Sequence, residues 1–259
     1  MFTDLLRTFS LWPVWLRLGL QDVRVRFHRS SLGVVWVFLN LFIMVTAIGL
    51  VYGYLFNQTL TTFLPFLTVG IVVWNYLTTS VTEGGLAFIA SEGYIRQIGL
   101  PIYIYIFRSF VSVTTFALFG LGAYFPVAFF SGISFKPGVL WAVPGFLLVA
   151  IVSLLSIALF AYLHTRFRDT VPFASSLLQV AFYVTPVLWP PETLRKHDLS
   201  WVVDCNPLYH LLEVVRRPLL HAEPATLFNY LIVGTLIVGL SLVTGSCLWW
   251  YKKRIVYFL

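Results

Sequence analysis

Charged side chains are scarce in this sequence: Asp, Glu, Lys and Arg supply 10% of 259 residues, against roughly 25% in an ordinary soluble domain. They are also unevenly spread, and Ser30 to Thr82 is a run of 53 residues with none of the four. A soluble core has no use for such a run. Lysine is rarer still, and none of Lys136, Lys196, Lys252 and Lys253 stands in the G-x-x-x-x-G-K-[ST] pattern whose backbone cradles phosphates. The chain therefore lacks an ATPase motif of its own. Histidines are few and scattered (His28, His164, His197, His210 and His221), while Asp169 and Glu192 have no acidic neighbours at metal-ligand spacing. The segment "SGISFK", Ser131–Lys136, does not make the G-x-S-x-G turn of a serine hydrolase. No catalytic residue, metal site or cofactor is expected in this chain.

What the sequence has in excess is apolar length. Hydrophobic residues make up 59% and aromatic residues 18% of the chain, the composition of a polytopic membrane protein. As one helix, the 53-residue run would be roughly 80 Å long, against a hydrocarbon core of about 30 Å. It must turn once, and "FNQTLTT", Phe56–Thr62, is the polar place to do so. Ser109–Phe135, Pro137–Leu163, Thr170–Pro191 and Pro224–Tyr251 are also free of the four charged types. Each can supply a span of about 20 residues. None alternates as barrel strands of about 10 residues would. The expected fold class is an all-α polytopic membrane protein, a single domain over 1–259 with six transmembrane helices near 34–56, 62–82, 108–130, 139–163, 171–190 and 229–250. Those spans contain no Asp, Glu or Lys, with Arg108 only at an end, which leaves no acidic relay for a proton-coupled carrier.

Six spans put both termini on one side, and the cations say which. With cytoplasmic termini, 12 Lys/Arg fall inside (Arg7, Arg17, Arg24, Arg26, Arg29, Arg96, Arg108, Arg166, Arg168, Lys252, Lys253 and Arg254) and five outside, while the acids split five and five. That is the positive-inside bias. The net charge of +7 then asks for anionic lipid headgroups, not for nucleic acid. Cys205 and Cys247 fall on opposite sides and cannot bridge within one chain. The N-terminal "LLRTFSLWPVWLRLGLQDV" interleaves Arg and Asp with Leu and Trp, unlike a signal peptide, so the first span is expected to act as the insertion signal.

Residues 1–29 read as an amphipathic helix in the cytoplasmic interface. Leu16, Leu20, Val23 and Phe27 share one face, and Arg17, Gln21, Arg24 and His28 lie about 100° away. Asp22 and Arg26 are four apart and able to pair. The cluster Arg24, Arg26 and Arg29 has two readings, topology with lipid anchoring, or a site for the anionic headgroup of a substrate. In the second loop a turn-prone "SEG" precedes Tyr94, Ile95 and Ile98, a short helix able to enter a partner's groove. In the long loop 192–223, Leu208, Leu211, Leu212, Val215 and Leu219 have helical spacing, so a short re-entrant helix is expected, ending near Pro218. Arg216 and Arg217 would hold it at the interface or pair with Glu213. Two spans carry polar stripes, Asn75, Thr78 and Thr82 in the second and Ser176, Gln179 and Tyr183 in the fifth. For the second, hydrogen bonding between helices is the favoured reading.

Five motifs in order connect these parts. They are "RSSLGVVW" (Arg29–Trp36) after basic residues, "IRQIGLP" (Ile95–Pro101), "RFRDTV" (Arg166–Val171), "VTPVLWP" (Val184–Pro190) and "NPLYHLLEVVRRPLL" (Asn206–Leu220). Together they resemble the permease subunits of type-2 ABC exporters for lipid-linked polysaccharides, the O-antigen and teichoic-acid group. The resemblance implies a homodimer of this chain with two ABC ATPase subunits that bind ATP and Mg, in a bacterial cytoplasmic (inner) membrane. The cargo it implies is a polysaccharide on a polyprenyl diphosphate. In that frame Arg24, Arg26 and Arg29 attract the diphosphate, and Ser91, Glu92, Tyr94, Ile95, Arg96 and Ile98 receive the ATPase stroke. The first and fifth spans flank the path, with Trp36, Phe173, Ser176, Gln179, Phe182, Tyr183 and Trp189 as its lining. Aromatic faces suit sugar C–H groups, although Trp36 and Trp189 equally suit a membrane belt. Asn206, Pro207, Arg216 and Arg217 gate the outer exit. The alternatives are a permease of the same superfamily for drugs or small lipids, and a membrane-embedded glycan-modifying enzyme.

Overall fold

The computed structural model describes residues 2–28, 30–97, 99–196 and 198–251. Arg29, Ile98, His197, Lys252, Lys253 and Arg254 lie outside the described residues. Among the described residues the regular structure is helical, with no strand. The N-terminal stretch, expected as one helix, is two: α1 (Phe2–Ser10) and α2 (Trp12–Phe27), broken at Leu11. Pro13 is the cause, since it lacks an N–H and fits only the first turn of a helix. Then follow α3 (Val35–Leu55), α4 (Leu60–Gly85), α5 (Glu92–Gln97), α6 (Tyr103–Phe130), α7 (Ala142–Arg166) and α8 (Thr170–Val184). Short α9 (Glu192–Arg195) and α10 (Ser200–Asp204) lead to α11 (Pro207–His221) and α12 (Leu227–Tyr251).

Five stretches are long and apolar enough to cross a membrane: Val35–Leu55, Leu60–Gly85, Tyr103–Phe130, Pro137–Arg166 and Leu227–Trp250. The fifth of the six expected spans, 171–190, is the exception. It forms a helix of only 15 residues, α8, about 22 Å long at ~1.5 Å per residue. Thr185 leaves the helix in an extended conformation (ψ 138°), as the residue before a proline is driven to do. Two other helices are longer than expected, one taking in a charge that the expected boundary left out and the other moving a charge from its end to its interior. α4 runs on to Gly85 and includes Glu83, and α6 begins at Tyr103 and includes Arg108. Both are paired, as charges at such positions must be.

The bundle is organised around α4, which packs on α3, α6, α7, α8 and α11. Leu67, Val69, Ile71 and Val73 are buried there, together with Val149, Leu211, Leu212 and Val215 from α7 and α11. Small residues permit the close approaches, as is usual where both solvent and helices are apolar. Ser80 of α4 and Ser153 of α7 also share a buried hydrogen bond of 2.6 Å. α11 is no surface helix: it packs on α4, α7 and α12, and Tyr209 to Leu212, Val214 to Arg216, Pro218 and Leu219 are buried. It also passes through Pro218, the expected stop, and ends at Ala222 in a left-handed conformation (φ 55°). Pro218 cannot donate to the carbonyl of Val214, and Gly145 of α7 sits against that oxygen with no room for a Cβ.

α2 runs along α6. Its buried residues are Gly19 and Val23, whereas Leu20, expected on the apolar face, is exposed. Phe9 and Trp15 both meet the ring of Phe107. A Cβ at Gly19 would stand 2.7 Å from the carbonyl oxygen of Arg108 and 2.7 Å from the Cβ of Val111. Gly19→Leu is therefore expected to push α2 off α6 at a cost of about 1–3 kcal/mol. A lowered midpoint of thermal unfolding in detergent checks it, and an unchanged midpoint would contradict this packing.

Candidate functional site

Two charged residues of α2, Asp22 and Arg26, are engaged with other helices. Asp22 does not pair with Arg26 as expected; it accepts two hydrogen bonds of 2.7 Å each from Nε and Nη2 of Arg108 on α6. Arg26 instead reaches Glu83 near the end of α4, with Nη1 to Oε1 at 2.9 Å and Nη2 to Oε2 closing the fork. Both guanidinium groups meet their carboxylate at two oxygens, the stronger, bidentate form of the pair. The Arg26 guanidinium lies 4.6 Å from the ring centroid of Phe116 on α6, a cation–π distance. Two ion pairs thus tie one helix to α6 and to α4. Arg24 is exposed with no ion-pair partner among the described residues. Asp22 was singled out from sequence but with Arg26 as its partner, and Glu83 was not singled out; a lone acid beside a charge-free run was the available signal.

The other charged centre lies under α11. Arg216, expected at an interface, is 1% exposed. Its Nη1 donates to the carbonyl of Pro186 at 2.9 Å, its Nη2 faces the carbonyl of Val187 at 3.5 Å, and its guanidinium sits 3.9 Å from the ring of Phe66. Glu213, one turn away, pairs with it at 3.6 Å. Burial raises the Glu213 carboxyl above its ordinary pKa, and the Arg216 charge draws it back. Gly70 makes room for the fork, because a Cβ there would overlap Nη2 of Arg216. The break after α8 is what makes this possible, since Pro186 and Val187 offer carbonyls that a continuing helix would have used. Asn206 ties the same break from the other end of α11: its oxygen accepts from the amide of Leu208 at 3.0 Å and its amide donates to Thr185 at 2.9 Å. Pro207 fills the first turn. Arg217 points outward and meets Glu223 at 3.3 Å. Beside them opens a cleft of about 550 Å³ bounded by Phe63, Phe66, Arg195, Glu213 and Arg217.

The expected coupling segment folds as a short turn at 89–91 followed by α5. Ser91 is buried, Glu92 and Arg96 pair at 3.0 Å, and Ile95 packs inward on the cluster around Phe88 and Tyr162. Tyr94, Arg96 and Gln97 are left facing out, and Ile98 lies outside the described residues. On α8, Phe173, Ser176, Gln179 and Tyr183 are exposed along one side, while Phe182 packs on Trp74 and the indole of Trp189 donates to the carbonyl of Tyr183 at 3.0 Å. Trp36 is exposed on α3, and both helices pack on α4. The stripe on α4 does not form the expected bonds between helices. Thr82 bonds the carbonyl of Thr78 in its own helix, Thr78 Oγ1 is buried without a hydrogen-bond partner among the described residues, and Asn75 is exposed.

A family model described as "ABC-2 type transporter" matches residues 15–220, from α2 through α11. An O-antigen export system permease protein RfbA of Myxococcus xanthus is 27% identical over 197 residues, 74% of each chain. Two proteins of the same name from Klebsiella pneumoniae are 23% identical over 237 residues and 25% identical over 203, covering 86% and 74% of this chain and 87% and 74% of theirs.

Proposed function

The chain belongs to the ABC-2 type transporter family, and on that premise we propose that it is the transmembrane subunit of an ATP-driven exporter for polyprenyl-diphosphate-linked polysaccharide. The observation that carries this reading is the extent of the likeness to O-antigen export permeases, which reaches 86% of the chain. The chain is a multi-pass membrane protein and a transport component; we assign ATP and Mg to two copies of an ABC ATPase partner, acting on a homodimer of this chain in a bacterial inner membrane. We assign both termini to the cytoplasm, which the cation count supports, and the sixth crossing to α8 with the segment stitched to α11. α5 is then the ATPase contact, Arg24 with its neighbours the headgroup attractor, and α11 the outer gate.

Reconstitution of the chain with an ABC ATPase tests the reading. The chain alone should hydrolyse no ATP, and the complex should be stimulated by lipid-linked glycan but not by drug-like cations. Stimulation by drugs or short lipids would move the cargo to those classes, and glycan turnover without the ATPase would make the chain an enzyme. At the contact itself, Tyr94 is the exposed aromatic of α5, 54% accessible. Tyr94→Asp is expected to weaken the complex by about tenfold, the loss of a modest aromatic anchor, without changing the unfolding midpoint. An unaltered affinity would remove α5 from the contact.

A further inference from the structure

Between α3, α4 and α6 lies a crevice of about 290 Å³ whose walls include Asn40, Asn75, Tyr76, Thr79 and Phe116. Tyr76 is satisfied, its hydroxyl lying 2.7 Å from that of Thr114. Asn40 and Asn75 are exposed, from two different helices, and neither makes a hydrogen bond to another described residue. A free carboxamide facing lipid is unfavourable, because hydrocarbon offers it no partner. The next cavity between the same helices shows what lipid alone requires: its lining is apolar except for Thr68, whose hydroxyl is used by the carbonyl of Leu64. The crevice therefore faces something polar.

We propose that this crevice is a carbohydrate-binding stretch of the export path, with Asn40 and Asn75 as its sugar-binding side chains. The proposal rests on the exporter reading above and adds α4, through Asn75, to the first and fifth spans as a wall of the path. The lining contains no formal charge, so it does not hold a bare phosphate, and its amides do not suit an acyl chain. A carboxamide offers both donors and an acceptor, which matches sugar hydroxyls, and the ring of Phe116 stands beside them in the lining. The position fits as well. Phe116 is also met by Arg26, 4.6 Å from its centroid, so the crevice lies beside the end of the basic helix α2.

The test uses the permease–ATPase complex in native membranes, with Cys205→Ser and Cys247→Ser as background. Asn40→Cys, Asn75→Cys and, on the apolar side, Phe42→Cys are probed with a water-soluble maleimide. Membranes are taken from cells that make the lipid-linked glycan and from cells blocked in its first glycosyl transfer. Positions 40 and 75 should label in the glycan-free membranes and several-fold more slowly with glycan present, and position 42 should label in neither. In parallel, Asn75→Leu should lower glycan-stimulated ATPase activity about tenfold, the size of a lost hydrogen bond with its desolvated partner, and Asn75→Gln should keep most of it. No labelling at 40 and 75 in either membrane would overturn the proposal in favour of a face closed against a second copy of the chain. Labelling indifferent to glycan, in a wild-type complex that glycan does stimulate, would overturn it while leaving the exporter reading intact. A wild-type complex that ignores glycan altogether would sink both.

Discussion

Arg216→Met is expected to destabilise the chain by about 3–5 kcal/mol, the range for removing one partner of a buried ion pair. The substitution keeps the volume but removes every polar contact of the site. Glu213 loses its counter-charge, the carbonyls of Pro186 and Val187 lose their donor, and Phe66 loses the cation on its face. Arg216→Lys keeps the charge without the fork, so an intermediate loss is expected. Adding Glu213→Leu to the methionine variant should recover part of the loss and not all of it, because the two carbonyls stay unpaired. The pH dependence has a definite sign. Burial raises the Glu213 pKa, and an acid raised in the folded state is least unfavourable where it is protonated. The single variant should therefore be more stable below that raised value and lose stability as pH climbs through it. Unfolding midpoints in detergent, taken across pH, check each step. A methionine variant as stable as the wild type would mean that α11 is not held by this arginine.

Why Arg216 was misplaced from sequence, while five of the six expected spans were found, has a physical reason. A transmembrane helix announces itself by what it excludes, so α3, α4, α6, α7 and α12 follow directly from long charge-free runs. The error was confined to their ends, where Glu83 and Arg108 belong to helices because partners elsewhere neutralise them. Pairing across 57 and 86 residues of chain leaves no local trace, whereas the four-residue spacing of Asp22 and Arg26 is conspicuous and empty. The α11 helix was legible from its leucines, but its depth was not. Depth depended on Gly70 and Gly145 providing room and on the break at Thr185 providing acceptors, three features of other segments. The candidate coupling helix shows the same limit. Ile95 looked like a docking residue because it is apolar, and only packing tells that it faces the chain's own core.

The last prediction separates a structural arginine from a functional one in "RVRFHR". Arg26 is used by Glu83 and Phe116, so substituting it alone changes packing and charge together and cannot report on a headgroup. An exchange can. Arg26→Glu with Glu83→Arg preserves the pair between α2 and α4, and because both side chains are partly exposed, at 45% and 41%, the pair is worth no more than about 1 kcal/mol. The exchanged chain should fold, bind its ATPase and export at close to the wild-type rate. Arg24 is the opposite case, exposed and without an ion-pair partner among the described residues. If it receives the diphosphate, its fork contributes bidentate, charge-assisted hydrogen bonds that a lysine cannot reproduce. Arg24→Lys keeps the positive charge that fixes topology, yet export and glycan-stimulated ATPase activity should fall roughly tenfold to a hundredfold, the size of one or two such bonds. Rates measured with saturating ATP and a titrated lipid-linked glycan would show the loss as weaker apparent binding. Wild-type export from Arg24→Lys, with an inactive exchange variant, would move the headgroup site to Arg26; wild-type export from both would leave the cluster to membrane topology alone.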